Sequence, residues 1–396
     1  MAPGSIIGSL EQLPARFLGD PSGRLKARFR IRIGNAARDV VVTPDTCGVE
    51  ATNGRPDAEI RTSPTTWLDI DRGRLSGIEA FAQRRLSLRG SIQRSLLFEP
   101  LFERPDGGGM HYSIERVPVR NLGISTLVAG PRDAEPMVLI HGLGATKASM
   151  LPIIPELAKS FRIYALDLPG FGSSSKPRGR YDAPWFAERV FGFMDSLGLS
   201  SATLVGNSMG GRIAQEMAMR DPERVDRAIC LCPATAFSRR PALVLARVLR
   251  PELGFAVGRL PRKRLRAGLE DLFARPGRLE SSWYDAAIDD FLRTWRSPRA
   301  RMAFFASARH IYLEEPHGER GFWARLSELD GLVHYVFGKQ DVLISHHFAR
   351  KVRESVPHAT VEVWDDCGHA PQIEHPKKVV EAIMAFTSGE RDVRSA

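Results

Sequence analysis

The stretch Leu204-Val205-Gly206-Asn207-Ser208-Met209-Gly210-Gly211 constrains this chain more than any other. An apolar run from Ala202 to Val205 leads to a serine with glycine two residues before it and two residues after it, the G-x-S-x-G pattern. The run reads as a buried parallel strand. Beyond the serine, Gly210, Ile213, Met217 and Arg220 share one face of a helix that Asp221-Pro222 stops. A strand that turns into a helix at one residue holds that residue in a strained backbone. A side chain on either flank would strike the neighbouring strand or helix. The serine hydroxyl then stands clear of the main chain, and the N–H groups that follow face the space beside it.

A serine hydroxyl is a poor nucleophile at neutral pH. It needs a base within hydrogen-bond reach, and the base needs an orienting acid. Around such an elbow the partners follow in the order Ser, Asp or Glu, His. Val333 to Gly338 is a strand pattern leading to Asp341, and Thr360 to Trp364 is another leading to His369. Of the ten histidines, only His369 combines a preceding strand, a flexible neighbour in Gly368, and the required order. Asp365 and Asp366 lie too near His369 along the chain to come from a separate strand end, and read as polar loop groups. The strand Val225 to Cys232 runs into Pro233-Ala234-Thr235-Ala236, which carries no carboxylate. The candidate catalytic residues are therefore Ser208, Asp341 and His369. For the oxyanion, the strand Pro136 to Ile140 precedes His141-Gly142-Leu143-Gly144, a loop able to aim the Leu143 N–H at the spot faced by the Met209 N–H. His141 reads as structural, and Asp167 to Ser174 as a tight turn bracing the site.

His-Gly-Leu-Gly at 141–144, Asp-Leu-Pro-Gly-Phe-Gly-Ser-Ser at 167–174, Gly-Asn-Ser-Met-Gly-Gly at 206–211, Gly-Lys-Gln-Asp at 338–341 and Cys-Gly-His-Ala-Pro at 367–371 stand in one order. That order resembles the α/β-hydrolase superfamily over residues 112–388. The resemblance implies an α/β fold, with a mostly parallel sheet and helices on both faces. A serine at the elbow separates it from the haloalkane dehalogenase and epoxide hydrolase branches, which carry aspartate there. No cofactor and no metal is expected, since Cys230 and Cys232 have no second ligand pair.

Between about residues 233 and 329 the pattern changes to Arg, Leu, Phe and Trp in helical spacing. Pro241 to Arg250 and Ser281 to Trp295 read as helices, with breaks at Pro251, Pro261, Pro276 and Pro298. In the hydrolase family a helical cap falls at this place, excluding water and shaping the pocket. Leu243, Leu245, Val248, Leu249, Phe255 and Phe291 read as cap core, and Arg262-Lys263-Arg264 with Arg266 as a solvated helix face.

A length of 396 residues suggests more than one domain. Residues 1–30 lack the apolar run of a signal peptide. Arg28 to Ile33 alternates polar and apolar as a half-buried strand does, and Asp39 to Thr43, Gly48 to Ala51 and Ala58 to Thr62 continue the pattern. Helices follow from Thr65 (with Ser63 or Thr65 as cap), over Gly77 to Arg85, and over Ser91 to Phe102. The segments 58–68, 73–81 and 86–91 make residues 10–104 resemble the sterol-carrier-protein lipid-binding domain, a small α+β domain. That family encloses a sterol or fatty-acyl chain in an apolar tunnel. Trp67, Leu68, Ile78, Phe81, Leu96, Leu97 and Phe98 would either line it or form the compact core. Residues 105–111, with Asp106-Gly107-Gly108-Gly109, read as the linker to the hydrolase domain at 112–388.

The net charge of +10 favours anionic surfaces. No basic stripe interleaved with aromatics suggests nucleic acid, and no apolar stretch is long enough to span a membrane, so at most a peripheral, reversible membrane contact is expected. The four cysteines form no disulfide pattern, as in a cytoplasmic protein. The expected activity is cleavage of carboxylic or thio-esters of hydrophobic, lipid-like substrates, with a sterol or fatty-acyl ligand at the N-terminal domain. Two alternatives remain. One is a carbon–carbon bond hydrolase of ring-cleavage products, which uses the same three residues. The other is a non-catalytic lipid carrier.

Overall fold

The structure, a computed structural model, describes residues 3–234, 250–255, 258 and 260–389. The chain divides into two compact units, Met1–Ile114 with Leu279–Arg293, and Glu115–Arg278 with Thr294–Ala396.

The first unit is built on β1 (Ala27–Ile33), β2 (Ala36–Val42), β3 (Cys47–Glu50), β4 (Ala58–Thr62) and β5 (Leu86–Gly90). Their order is β3-β2-β1-β4-β5. Only β1 and β4 pair in parallel; the other pairs are antiparallel. The period-2 pattern of β1 sends Phe29, Ile31 and Ile33 into the core and three arginines to the other face. There Arg28 and Arg30 converge on the buried carboxylate of Asp39, at 3.1 and 2.8 Å. Asp39 also accepts the Asn53 N–H at 3.0 Å. On the apolar face the helix Ile92–Phe98 packs over β1, β4 and β5, with the Phe98 ring against Phe29. Ser63, Ser76 and Ser91 each cap a helix, over Pro64–Asp71, Gly77–Ala82 and Ile92–Phe98. Ser76 does so in a reciprocal box with Glu79.

Two expected helices are shorter than their patterns. The one from Gly77 ends at Ala82, because Arg84 turns left-handed (φ 58°) to launch β5. The one from Ser91 gives way at Glu99-Pro100 to a 3-10 turn. Trp67, Leu68, Ile78, Leu96 and Phe98 are buried, whereas Phe81 and Leu97 are half-buried. The first unit is also not contiguous in sequence. The returning segment forms most of a helix over Ser281–Trp295. Its Asp289 carboxylate accepts the Gly90 N–H at 3.1 Å, and its Arg293 donates to the Asp57 carbonyl at 3.2 Å.

The second unit holds β6 (Tyr112–Val119), β7 (Leu122–Ala129), β8 (Pro136–Ile140), β9 (Arg162–Leu166), β10 (Ala202–Asn207), β11 (Val225–Leu231), β12 (Val333–Gly338) and β13 (Thr360–Trp364). Their order is β13-β12-β11-β10-β8-β9-β7-β6. The strands from β8 to β13 pair in parallel, and β7 runs antiparallel to β9. β10 lies in the middle and is buried at every residue. The chain leaves β8 toward β9 on one side and returns to β10 on the other, so the strand order reverses there. The crevice beyond the carboxyl ends of those strands is where open sheets of this kind build sites.

In the insertion, Ser281–Trp295 is helical as its pattern suggests. The prolines begin elements rather than merely ending them. Pro251 and Pro276 open 3-10 turns, Pro261 directly precedes the helix Arg262–Glu270, and Pro298 opens the helix Pro298–Leu313. This is where the missing N–H costs least. Phe255 is not cap core, being 63% exposed, and Phe291 is half-buried. The expected helix from Pro241, with Leu243, Leu245, Val248 and Leu249, falls outside the described residues. Among the described residues no helix is long and apolar enough to cross a membrane.

Burial works against the charge of Asp39, but Arg30, the Asn53 N–H and Arg28 outweigh it and hold the carboxyl below its ordinary range. Its stabilising effect is therefore complete above the carboxyl's unfolded-state value and fades as pH falls through the folded one. Asp39→Ala should cost about 2 kcal/mol at neutral pH, since two partly buried guanidinium groups lose their partner. In urea unfolding followed against pH, the difference from the parent should shrink under acid.

Candidate active site

Ser208 sits between β10 and the helix Met209–Arg220 at φ 55° and ψ −116°, a backbone region few non-glycine residues occupy. Three hydrogen bonds hold it. Its N–H donates to Leu231 at 2.9 Å, and its carbonyl accepts from Arg212 and Ala234, each at 3.0 Å. The flanking glycines are required by contact. A Cβ on Gly206 would lie 2.3 Å from the Gly210 backbone, and one on Gly210 would lie 2.1 Å from the Ile140 carbonyl oxygen. The helix therefore rests on β8 and β10 at a distance no side chain allows. Met209 is the first residue of that helix, so its N–H has no partner within it.

The loop after β8 packs against the same turn, since a Cβ on Gly142 would come 3.2 Å from the Ser208 Cβ. This puts the Gly142–Leu143 segment beside the serine. His141 is fully buried, with Nδ1 against the Gly142 carbonyl at 2.7 Å and Nε2 accepting the Leu168 N–H at 3.0 Å. Those partners require the neutral tautomer protonated at Nδ1, and burial lowers its pKa accordingly. His141 thus ties two loops together. Asp167, beyond β9, is fully buried and accepts from the Lys147 Nζ at 2.7 Å, the Lys147 N–H at 2.8 Å and the Ser173 N–H at 2.8 Å. Burial alone would raise its pKa; Lys147 and the other donors hold it below the usual carboxylate value.

Asp341 and His369 meet beyond β12 and β13. His369 Nδ1 lies 2.8 Å from Asp341 Oδ2. Asp341 Oδ1 is occupied by the Leu343 and Ile344 N–H groups, at 2.8 and 2.9 Å, which leaves Oδ2 to the imidazole. The histidine loop is fixed from several sides. The His369 N–H donates to Leu272 at 2.7 Å, and the Glu374 carboxylate bridges the Gly368 N–H (2.6 Å) and the Ala274 N–H (2.7 Å). The Asn207 amide joins the residue before the serine to this loop, donating to Leu231 at 3.1 Å and to the His369 carbonyl at 3.0 Å. Asp365 and Asp366 lie at the rim in ion pairs. Asp365 binds Lys339, and Asp366 binds Arg275 and Arg278.

Where the sixth core strand offers no carboxylate, the structure places Cys232. Its Sγ lies within 4.8 Å of the donor atoms of Asp341 and His369. Burial, then the Asp341 charge, pushes its thiol well above the ordinary range. A thiol that stays protonated is a weak metal ligand, and Asp341 and His369 already satisfy one another. A cavity of about 200 Å³ reaches the first turn of the helix after Ser208. Tyr181, Phe186, Met209, Ile311 and Leu313 give it apolar walls, with Asp182, Arg212, His310 and Glu314 as polar lining. The Arg212 guanidinium is buried and paired with both Glu216 and Glu314.

Asn207, Lys147 and Glu374 were not singled out in the sequence. A polar amide ending a buried, mostly apolar strand was the available sign for Asn207. Nothing local marks Lys147 or Glu374, whose partners lie on other segments.

A mostly parallel sheet, with a strained serine at the end of its central strand and a carboxylate–imidazole pair beyond the last two strands, is the architecture of α/β hydrolases. The chain belongs to that family: the alpha/beta hydrolase fold model matches residues 135–376. The model of the SCP-2 sterol transfer family matches residues 11–103. The chain is 29% identical over 279 residues to 2-hydroxymuconate semialdehyde hydrolase of Pseudomonas sp. (strain CF600), covering 67% of this chain and 90% of that one. It is 28% identical to pimeloyl-[acyl-carrier protein] methyl ester esterase of Aeromonas salmonicida (strain A449), covering 63% and 94%. The solved structure of a bacterial membrane phospholipase A superposes with a TM-score of 0.58 at 27% identity, over 77% of this chain and 90% of that one. The protein is thus a hydrolase of the α/β fold that carries an SCP2 domain.

Lys147→Met should destabilise the second unit by about 3–5 kcal/mol, because it strands the buried Asp167 charge. Chemical unfolding at neutral pH measures this. The deficit should narrow in acid, since Asp167 is held ionised below its unfolded-state pKa and its contribution is lost as pH falls through the folded value.

Proposed function

We propose that this hydrolase cleaves carboxylic or thio-esters of hydrophobic, lipid-like substrates, with Ser208 as nucleophile, His369 as base and Asp341 as orienting acid. The observation that carries the reading is the 2.8 Å contact of His369 Nδ1 with an Asp341 oxygen whose partner oxygen is already taken by two amides. A carboxylate at Nδ1 favours the Nδ1–H tautomer, in which Nε2 is free to accept a proton. Nε2 takes the hydroxyl proton as Ser208 Oγ attacks the carbonyl. The Met209 and Leu143 N–H groups receive the charge that develops on oxygen. The protonated imidazole, stabilised by Asp341, then gives its proton to the departing alcohol or thiol. Water activated by the same nitrogen releases the acid and frees the serine.

A hydrophobic substrate is supported by the apolar walls of the cavity beside Met209 and by the SCP2 domain in the same chain. In this reading the first unit binds a sterol or fatty-acyl ligand. A second reading, hydrolysis of a carbon–carbon bond in a ring-cleavage product, is favoured by the similarity to 2-hydroxymuconate semialdehyde hydrolase. It uses the same three side chains.

Two variants test the chemistry. Ser208→Ala should lower turnover of p-nitrophenyl acyl esters by at least about a thousandfold, and Asp341→Asn by about ten-thousandfold through the wrong tautomer, both with unchanged thermal unfolding. Retention of most activity by the alanine variant rules out the assignment. Parallel assays with acyl esters of increasing length and with a ring-cleavage dienoate decide between ester and carbon–carbon cleavage.

A further inference from the structure

The chain's formal charge is concentrated in one place. Of the net +10, the segment between residues 239 and 266 supplies +8, from nine Arg and Lys against the single acid Glu252. The same segment is rich in Leu and Val. Its described part includes the helix Arg262–Glu270, whose first turn is exposed. Lys263 and Arg264 there pair with no carboxylate among the described residues, and Arg250 is likewise exposed and unpaired. Leu265 and Leu269, four residues apart, share the other face and are half-buried. Phe255 projects an aromatic ring into solvent, 63% exposed. Elsewhere in the chain arginine commonly meets a carboxylate, as Arg28 and Arg30 meet Asp39 or Arg275 and Arg278 meet Asp366. In this segment nine cations stand against one acid, and of the described ones Arg266 pairs with Glu270 just beyond it.

From this charge and exposure we infer that the insertion docks the protein reversibly on an anionic lipid surface, with the 262–270 helix lying in the interface plane. Cations surrounding exposed apolar side chains, without a spanning helix, are the composition of an interfacial element. Each Lys or Arg brought to an anionic leaflet strengthens binding by about fivefold. Nucleic acid is the weaker fit, because bases ask for aromatic platforms among the cations and the segment holds a single aromatic residue, Phe255. Docking here bears directly on the site. Two residues past the helix, the Leu272 carbonyl accepts the His369 N–H, and Gly368 has no room for a Cβ beside that carbonyl, which would lie at 2.3 Å. The surface that meets the lipid is thus one short turn from the histidine loop. This last link rests on the catalytic role given above to His369; the docking does not.

Flotation of the full-length protein with phosphatidylcholine vesicles, with and without one third phosphatidylglycerol, tests the inference. Binding should require the anionic lipid and fall steeply with added salt. The double variant Lys263→Glu, Arg264→Glu should bind at least tenfold more weakly at an unchanged thermal midpoint, whereas Lys263→Arg, Arg264→Lys should bind as the parent does. Repeating the measurement on Ser208→Ala separates docking from turnover, since loss of activity there leaves binding intact. Equal binding to neutral vesicles, indifference to the charge reversal, or a preference for duplex DNA over anionic vesicles in competition would each overturn it.

Discussion

The approach of the Met209–Arg220 helix to β8 and β10 is the constraint on which the second unit depends. Backbone meets backbone at Gly206, Gly210 and the Ile140 carbonyl, at separations that exclude even a methyl group. That closeness forces the single residue of the turn, Ser208, into its unfavourable conformation, at a cost of about 1–3 kcal/mol. Hydrogen bonds to Leu231, Arg212 and Ala234 offset it. The same turn frees the Met209 N–H and places the loop at Gly142 against the serine. The strain at Ser208 and the free N–H of Met209 are therefore one geometric fact.

The histidine side of the site is held differently. Asp366, three residues before His369, turns left-handed (φ 56°), and a mesh of hydrogen bonds fixes the loop beyond it, reaching Asn207 at the end of the central strand, Glu374 in the first of the C-terminal helices, and Leu272 and Ala274 in the insertion. The carboxylates in this mesh are satisfied by several donors each, the condition under which buried polar groups rigidify rather than destabilise. The insertion is consequently part of the scaffold that orients His369 as well as part of the pocket.

The fold was largely legible because its signals are local. Alternating burial in β1, the buried run of β10, the helix starts near Ser63 and Ser91 and the bracketing glycines each declare themselves within a few residues. The Asp341–His369 contact was legible because strand ends in a parallel sheet converge on one edge, whatever the intervening length. What stayed hidden is what depends on distant partners. Lys147 reads as a surface lysine until Asp167 folds over it. Glu374 reads as a helix-end acid until Gly368 and Ala274 arrive. Phe255 reads as core by residue type alone, yet stands in solvent, because apolarity does not say which face of an insertion is covered. The shortened helices at Ala82 and Phe98 follow from a left-handed arginine and a proline, details that helical periodicity overlooks.

The returning segment Leu279–Arg293 alters how this protein must be made. A polypeptide emerges from the ribosome in order, and domains generally fold as they become complete. Here the sheet of the first unit is finished by Gly90, but Asp289 and Arg293, which bond to Gly90 and Asp57, come much later in synthesis. The first unit waits, incomplete at that edge, while most of the second is being made. Cutting the chain within residues 105–111 would leave the same edge bare. The two halves match different families, yet the first takes its last helical segment from within the span of the second.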